Sequence, residues 1–320
     1  MPRIYVYLRN LFFRVAIISL VSLISFAVLF CFIPNFKNET KASVKNAKIP
    51  IFMYHGLVHN NKKIENKFFI DDELFRKDIK FLKHNGYNSV GVNDLINFVH
   101  NDVPLPEKSI MVMFDDGYLN NFLYAFPIIK EENFKAVFSP IGKCVEDYSE
   151  IKDRNPYYAH ANWNDIREMS NSGLVEIQNH SYNMHSIGKR KGCKKMRFES
   201  DDEYKKKFKS DVLKFQSVFQ DNLGKTPEAF VYPFGATCHE SENILKELGF
   251  KATFSCEGKI NTITSGDPDS LYRLGRIIRP NKIESEKYFK KYLKNEDILD
   301  SRSLSKLSYE YAHLCASKKT

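Results

Sequence analysis

Apolar and polar positions along this chain switch repeatedly between a period of two and a period near 3.6, which predicts an alternation of strands and helices. Short apolar runs rich in β-branched and aromatic residues read as strands at 49–54, 88–92, 110–114, 136–139, 174–177, 229–232 and 252–255. Helical spacing falls between them, at 72–84, 94–99, 120–130, 164–172, 202–220 and 241–248. In the first of these, Phe75, Ile79 and Leu82 share one face and Asn85-Gly86 supplies the stop. Such alternation implies parallel βα units, closed into a barrel or laid out as an open wound sheet. The side chains with chemical potential follow the ends of several different strands, where barrel active sites are built, so the barrel is favoured. A chain of 320 residues, 43% hydrophobic, is long enough for one catalytic domain of this kind.

The N-terminus follows neither period. Residues 15–33 carry no charge, a stretch about as long as a helix needs to cross a bilayer core of roughly 30 Å. It is longer than a signal-peptide apolar region and no small-x-small cleavage pattern follows, so an uncleaved transmembrane anchor is expected, with a cleaved signal as the alternative. The resulting map is a short segment 1–14, the anchor 15–33, a polar linker 34–48, a catalytic domain 49–280 and a charged helical appendage 281–320. Arg3, Arg9 and Arg14 precede the span and Lys37, Lys41, Lys45 and Lys48 follow it, so local charge does not orient it. A long domain after a single anchor ordinarily ends outside, which predicts a single-pass cell-membrane protein with an extracellular catalytic domain.

The net charge of +9 is spread over helix faces and no nucleic-acid motif accompanies it; an anionic membrane or cell wall is the simpler partner, and a monomer is expected. Cys31, Cys144, Cys193, Cys238, Cys256 and Cys315 form no Cys-x-x-Cys pair, which argues against a structural zinc knuckle and against a disulfide framework.

Residues 112–117 read Val-Met-Phe-Asp-Asp-Gly, an apolar strand ending in two carboxylates and a glycine. Neighbours on a strand face opposite ways, so Asp115 and Asp116 can serve one site only if the strand ends there and the backbone turns, which Gly117 permits. The alternative, an Asp-Gly hairpin tip, fits poorly because a helical pattern follows. His180 and His185 lie on a loop after the strand at 174–177. With one carboxylate they form a two-histidine, one-carboxylate face that holds a divalent ion and leaves positions open for water and substrate. His55 ends the first strand pattern.

The set Met113-Phe-Asp-Asp-Gly117, Trp163-Asn-Asp-Ile-Arg-Glu-Met169, Glu176-Ile-Gln-Asn-His180 with His185, and Val231-Tyr-Pro-Phe-Gly235 resembles the polysaccharide deacetylases of the NodB-homology type, carbohydrate esterase family four. Histidines five apart and the early Met53-Tyr54-His55 resemble the circularly permuted branch that deacetylates poly-N-acetylglucosamine. The resemblance implies a deformed (β/α) barrel in which Asp116, His180 and His185 hold a divalent metal, Zn²⁺ first with Co²⁺ or Ni²⁺ possible. It implies Asp115 as the base, His55 as the acid and the backbone N–H of Phe234 as an oxyanion donor. Tyr54, Tyr232 and Trp163 are candidate substrate contacts. One departure stands out: Val231 occupies the place of the third motif's arginine, and Arg273 or Arg276 is available to replace it as the partner of the base.

The function so implied is hydrolytic removal of N-acetyl groups from an extracellular N-acetylglucosamine polymer, with peptidoglycan as the alternative substrate. A non-catalytic glycan-binding module on the same fold is the rival of another class. A glycoside hydrolase is disfavoured, because its two carboxyl groups must stand at least about 5 Å apart on opposed walls.

Overall fold

A computed structural model describes residues 46–60 and 68–293. The expected anchor at 15–33, most of the linker, Cys31, Cys315 and the end of the appendage lie outside the described residues. No helix among those described is long and apolar enough to cross a membrane.

The strands are β1 (Asn46–Ile49), β2 (Ile51–Tyr54), β3 (Gly56–Val58), β4 (Phe69–Asp71), β5 (Asn88–Ser89), β6 (Ser109–Asp116), β7 (Ala136–Pro140), β8 (Val175–Ile177), β9 (Ala229–Val231), β10 (Ala252–Ser255), β11 (Asn261–Thr264), β12 (Leu274–Gly275) and β13 (Ile277–Ile278). The helices are α1 (Asp72–His84), α2 (Val92–Asn101), α3 (Phe126–Glu132), α4 (Gly142–Ile151), α5 (Trp163–Asn171), α6 (Asp201–Leu223), α7 (His239–Glu247) and α8 (Ser285–Leu293).

The parallel order β13-β2-β6-β7-β8 forms one sheet and β12-β10-β9 another. A parallel bridge from Asn179 to Phe230 joins β8 to β9, and only Arg276 separates β12 from β13. The chain of pairings therefore returns on itself, an α/β ring of parallel strands. Inside it pack Ile51, Met111, Met113, Val137, Val231 and Phe254. Alternate residues of the same strands, Phe52, Tyr54, Val112, Phe114 and Phe138, face outward into the apolar layer beneath the helices. Strands buried on both faces are the norm for parallel sheets, and this two-sided core positions everything that follows.

Local chemistry sets the helix ends. Asp71 caps α1 by accepting the N–H of Glu73 at 3.1 Å, and Phe75, Ile79 and Leu82 supply its buried stripe. Ser200 and Glu203 form a capping box on α6, which ends at Gly224 with φ of 68°.

Three expectations are corrected. Residues 46–48 belong to β1, paired antiparallel with β11, so the folded domain begins before 49. The run at 88–92 is a strand only at 88–89, because Val92 opens α2: the Glu176 carboxylate accepts the N–H groups of Val92 (2.9 Å) and Asn93 (3.1 Å) and caps the helix. A Cβ at Gly91 would sit 2.0 Å from that carboxylate. The supposed appendage contributes α8 to the core, with Tyr288 and Phe289 buried against Phe52.

Candidate metal centre

The eight residues of β6 are all buried and end on the two aspartates. Asp115 continues the inward parity of Met111 and Met113. Asp116 would point outward, but the backbone turns there: its φ is +68° and the Gly117 N–H donates to the Asp115 carbonyl at 2.9 Å. This is a γ-turn with a positive central φ, a rare and strained conformation that brings both carboxylates to one end of the ring. Gly117 itself has φ of +84°, and a Cβ there would lie 2.6 Å from that of Pro140 on β7. The glycine is thus required by both conformation and space.

Asp116, His180 and His185 each offer a ligand atom, all within 4.8 Å of one another. The Nε2 atoms of His185 and His180 stand 3.0 and 3.5 Å from the same Asp116 oxygen. Ligands about 2.0–2.2 Å from one tetrahedral ion lie roughly 3.4 Å apart, so the spacing fits a shared divalent cation. Nδ1–H of His180 donates to the Val231 carbonyl at 2.7 Å, which fixes the tautomer and leaves the Nε2 lone pair facing the site. Burial works against charge on Asp116, yet the imidazoles, His185 foremost, hold its carboxyl well below the usual range. For His185 burial lowers the pKa, but the Asp116 charge and hydrogen bond outweigh it and the net direction is upward. A buried carboxylate kept ionised among imidazoles is a donor set suited to Zn²⁺ or a similar ion.

The loop carrying the histidines is braced from two sides. Asp211 on α6 accepts the N–H groups of Tyr182 (2.8 Å) and Asn183 (2.7 Å), and Gly142 and Lys143 at the start of α4 donate to the carbonyls of Ser181 and Tyr182.

Arg276 answers the question of the missing arginine. Its Nη1 lies 2.5 and 2.6 Å from the two Asp115 oxygens, while Nε donates to the Ser255 carbonyl at 3.0 Å and Nη2 reaches Cys256 Sγ. Both partners are buried. Burial alone would raise the Asp115 pKa; Arg276, followed by His180 and His55, brings it below the ordinary value. Arg273 instead pairs with Glu257 at the surface.

His55 follows β2, whose Tyr54 is in register with Phe114, so it emerges beside Asp115. Its buried Nδ1 has no hydrogen-bond partner among the described residues. Burial holds its pKa below the ordinary histidine value despite the pull of Asp116 and Asp115. The Phe234 ring rests on His185, centroids 4.4 Å apart, and its φ of 56° falls in a tight turn over Pro233–Gly235.

Two of the three expected substrate contacts, Tyr54 and Tyr232, are corrected. Tyr54 shares the outward parity of Phe52, is 1% exposed and donates to Asp78. Tyr232 follows the outward-facing Phe230, is fully buried and donates to Ser241 at 3.0 Å. Trp163 packs edge-on against Phe219 as part of the helix layer. Two residues that sequence reasoning missed are His160, whose Nδ1–H donates to the Asp116 carbonyl at 3.0 Å, and Asp211. Neither follows a strand pattern or belongs to a recognisable motif. Cys144, Cys193 and Cys238 carry free thiols.

Residues 102–253 match the family model for polysaccharide deacetylases. A poly-β-1,6-N-acetyl-D-glucosamine N-deacetylase of Escherichia coli strain K12 is 27% identical over 204 residues, 57% of this chain and 30% of its own length. The chain thus spans about a third of that relative. One of the same name from Staphylococcus aureus strain MRSA252 is 24% identical over 245 residues, 76% of this chain and 77% of its own. Among solved structures, a de-N-acetylase from Aggregatibacter actinomycetemcomitans superposes with a TM-score of 0.62 at 27% identity, covering 72% of this chain and 95% of that one. IcaB from Ammonifex degensii shares the fold with a TM-score of 0.60 at 23% identity, over 72% and 91% of the two chains. Sequence model, relatives and site geometry agree in one respect: residues 102–253, just under half of the chain, resemble the polysaccharide deacetylases.

Proposed function

We propose that this protein is a metal-dependent hydrolase that removes N-acetyl groups from an N-acetylglucosamine polymer, poly-β-1,6-N-acetylglucosamine in the first instance. The observation that carries the reading is the adjacency of two differently equipped aspartates: Asp116 among the imidazoles and Asp115 gripped by Arg276. The names of the E. coli and S. aureus relatives support the choice of polymer.

A divalent ion held by Asp116, His180 and His185 would supply Lewis-acid polarisation of the acetyl carbonyl and acidify water. The chain's own groups do the rest. Asp115, kept ionised by Arg276, accepts a proton from the attacking water. The peptide N–H of Phe234 stabilises the oxyanion, a donor typically worth on the order of 100-fold in rate. His55 donates to the departing sugar nitrogen; a ring held below the ordinary histidine pKa is the stronger acid once protonated. Water adds to the acyl carbon, the C–N bond breaks, and acetate and a glucosamine unit leave. We further propose that residues 15–33 anchor the chain in the membrane with this domain outside, where such polymers are found.

Acetate release from purified poly-β-1,6-N-acetylglucosamine and from peptidoglycan tests the assignment. Release from the former that stops on chelation and returns with Zn²⁺, Co²⁺ or Ni²⁺ is expected. Release from peptidoglycan alone moves the substrate to the cell wall, and glycan retention without acetate from either identifies a binding module.

A further inference from the structure

The segment between α4 and α5 is tied directly to the metal ligand. The Leu119 N–H donates to the Ala159 carbonyl at 2.8 Å and the Ala161 N–H to that of Gly117 at 2.9 Å, so Tyr118 and His160 face each other as an antiparallel bridge. Their rings stack at 4.9 Å, and Tyr148 of α4 lies against the same imidazole at 5.4 Å. His160 in turn holds the Asp116 carbonyl.

Three and two residues before His160, Tyr157 and Tyr158 are 62% and 51% exposed. They sit on a loop that is fully braced. Asp153 accepts the Asn155 N–H at 2.9 Å, Asn155 accepts the Tyr157 N–H at 3.0 Å, and the Asn155 carbonyl accepts from Ala159. The buried Asn120 donates to the Pro156 carbonyl at 2.9 Å, and the Tyr158 hydroxyl donates to Asp153 at 2.8 Å. Aromatic rings presented to water on a rigid loop lose little conformational freedom when a partner stacks on them. Pyranose rings offer such a partner, with C–H faces for the ring and hydroxyls for the Tyr157 and Tyr158 edges. The position gives the partner its place: Tyr158 lies two residues, at most about 7 Å of backbone, from His160, so the sugars it would stack on are neighbours of the one held at the ion.

We propose that this loop is a saccharide-stacking ledge, on which Tyr157 and Tyr158, continued towards the metal centre by Tyr148, His160 and Tyr118, bind the sugar units that flank the one being deacetylated. The proposal rests on the deacetylase reading for the identity of the polymer and on the loop geometry for the site.

The test uses the full chain and its Tyr157→Ala/Tyr158→Ala double variant with β-1,6-linked N-acetylglucosamine dimers and pentamers. Acetate release gives kcat and KM, and calorimetry gives pentamer Kd in an Asp115→Asn background with and without the tyrosine changes. Pentamer KM and Kd are expected to rise about tenfold, equivalent to about 1.4 kcal/mol, with kcat and the dimer kinetics unchanged. Trp at both positions should restore pentamer affinity. Unchanged pentamer affinity, or equal losses for dimer and pentamer, overturns the ledge, as does a parent protein that binds no pentamer. If the parent releases no acetate yet binds pentamer, and the double variant binds it tenfold more weakly, the ledge stands and the deacetylase reading falls.

Discussion

Two arginines three residues apart make two buried pairs with aspartate, and the pairs do opposite work. Arg279 approaches Asp78 fork to fork, Nε at 2.7 Å from one oxygen and Nη2 at 2.9 Å from the other. The Tyr54 hydroxyl adds a third donor, and Arg279 also binds the carbonyls of Pro280 and Ile283 and lies against the Tyr288 ring. Three donors hold Asp78, and they join α1 to β2 and to the segment before α8. Arg276 instead touches Asp115 through Nη1 alone and spends its other nitrogens on Ser255 and Cys256. Asp115 keeps lone pairs for a further donor. The electrostatics diverge accordingly: burial raises the Asp78 carboxyl against the pull of Arg279, whereas Asp115 stands below its ordinary value because the site's histidines reinforce Arg276. A pair of the same two residue types becomes a rivet or leaves a carboxylate open to a further donor according to what else faces it.

Removing the two carboxylates one at a time probes this contrast most strongly. Asp115→Asn is expected to lower kcat about 10³-fold, in the range of lost acid–base catalysis, while bound metal measured by elemental analysis stays at the parental level. Asp78→Asn is expected to leave kcat of the folded protein within a few-fold of parent. Comparable losses of turnover in the two variants would erase the distinction.

Arg276→Met and Arg279→Met each strand a buried carboxylate, at a cost of about 3–5 kcal/mol in denaturant unfolding. Only the first should also depress turnover of the folded fraction. Adding Asp78→Leu to Arg279→Met is expected to recover most of the lost stability, because a buried ion pair is often replaceable by apolar residues. Failure to recover would mean that the Asp78 pair does more than join elements.

Asp211 sharpens the comparison from the other side, as a half-buried carboxylate with backbone donors and no arginine. Burial raises it to about 6. A folded-state value above the unfolded one contributes stability that is complete below about pH 4 and lost as pH rises through 6, at most about 3 kcal/mol. Asp211→Asn removes this titration. The parent's Tm should therefore rise relative to the variant's as pH is lowered from 7 towards 4, and an unchanged difference would show that the two backbone donors cancel the burial.

Much of the metal centre was legible because its chemistry is local in sequence. A strand that ends Asp-Asp-Gly announces its own turn, and His180 and His185 lie on one loop. Tyr54 and Tyr232 were misread because proximity along the chain was taken for proximity in space; period-two parity sends both away from the interior, and their neighbours Phe52 and Phe230 already carried that information. Arg276 was visible only as one of two options, since choosing it over Arg273 requires the register that brings β12 and β13 alongside β10 and β2. The helix Gly142–Ile151 went unseen because Gly142 and a charged exterior conceal its apolar stripe. The braces of the histidine loop come from 28 to 39 residues away and leave no trace in local pattern.

The strand pairing of Ile277–Ile278 with Phe52 and Met53 has a temporal meaning during synthesis. A ribosome-bound chain that has released residues up to about 270 already owns both imidazoles and both aspartates, yet Asp115 has no counter-charge. Only when the stretch 274–279 docks does the arginine arrive, so the counter-charge of Asp115 on β6 is delivered by a segment made about 160 residues later.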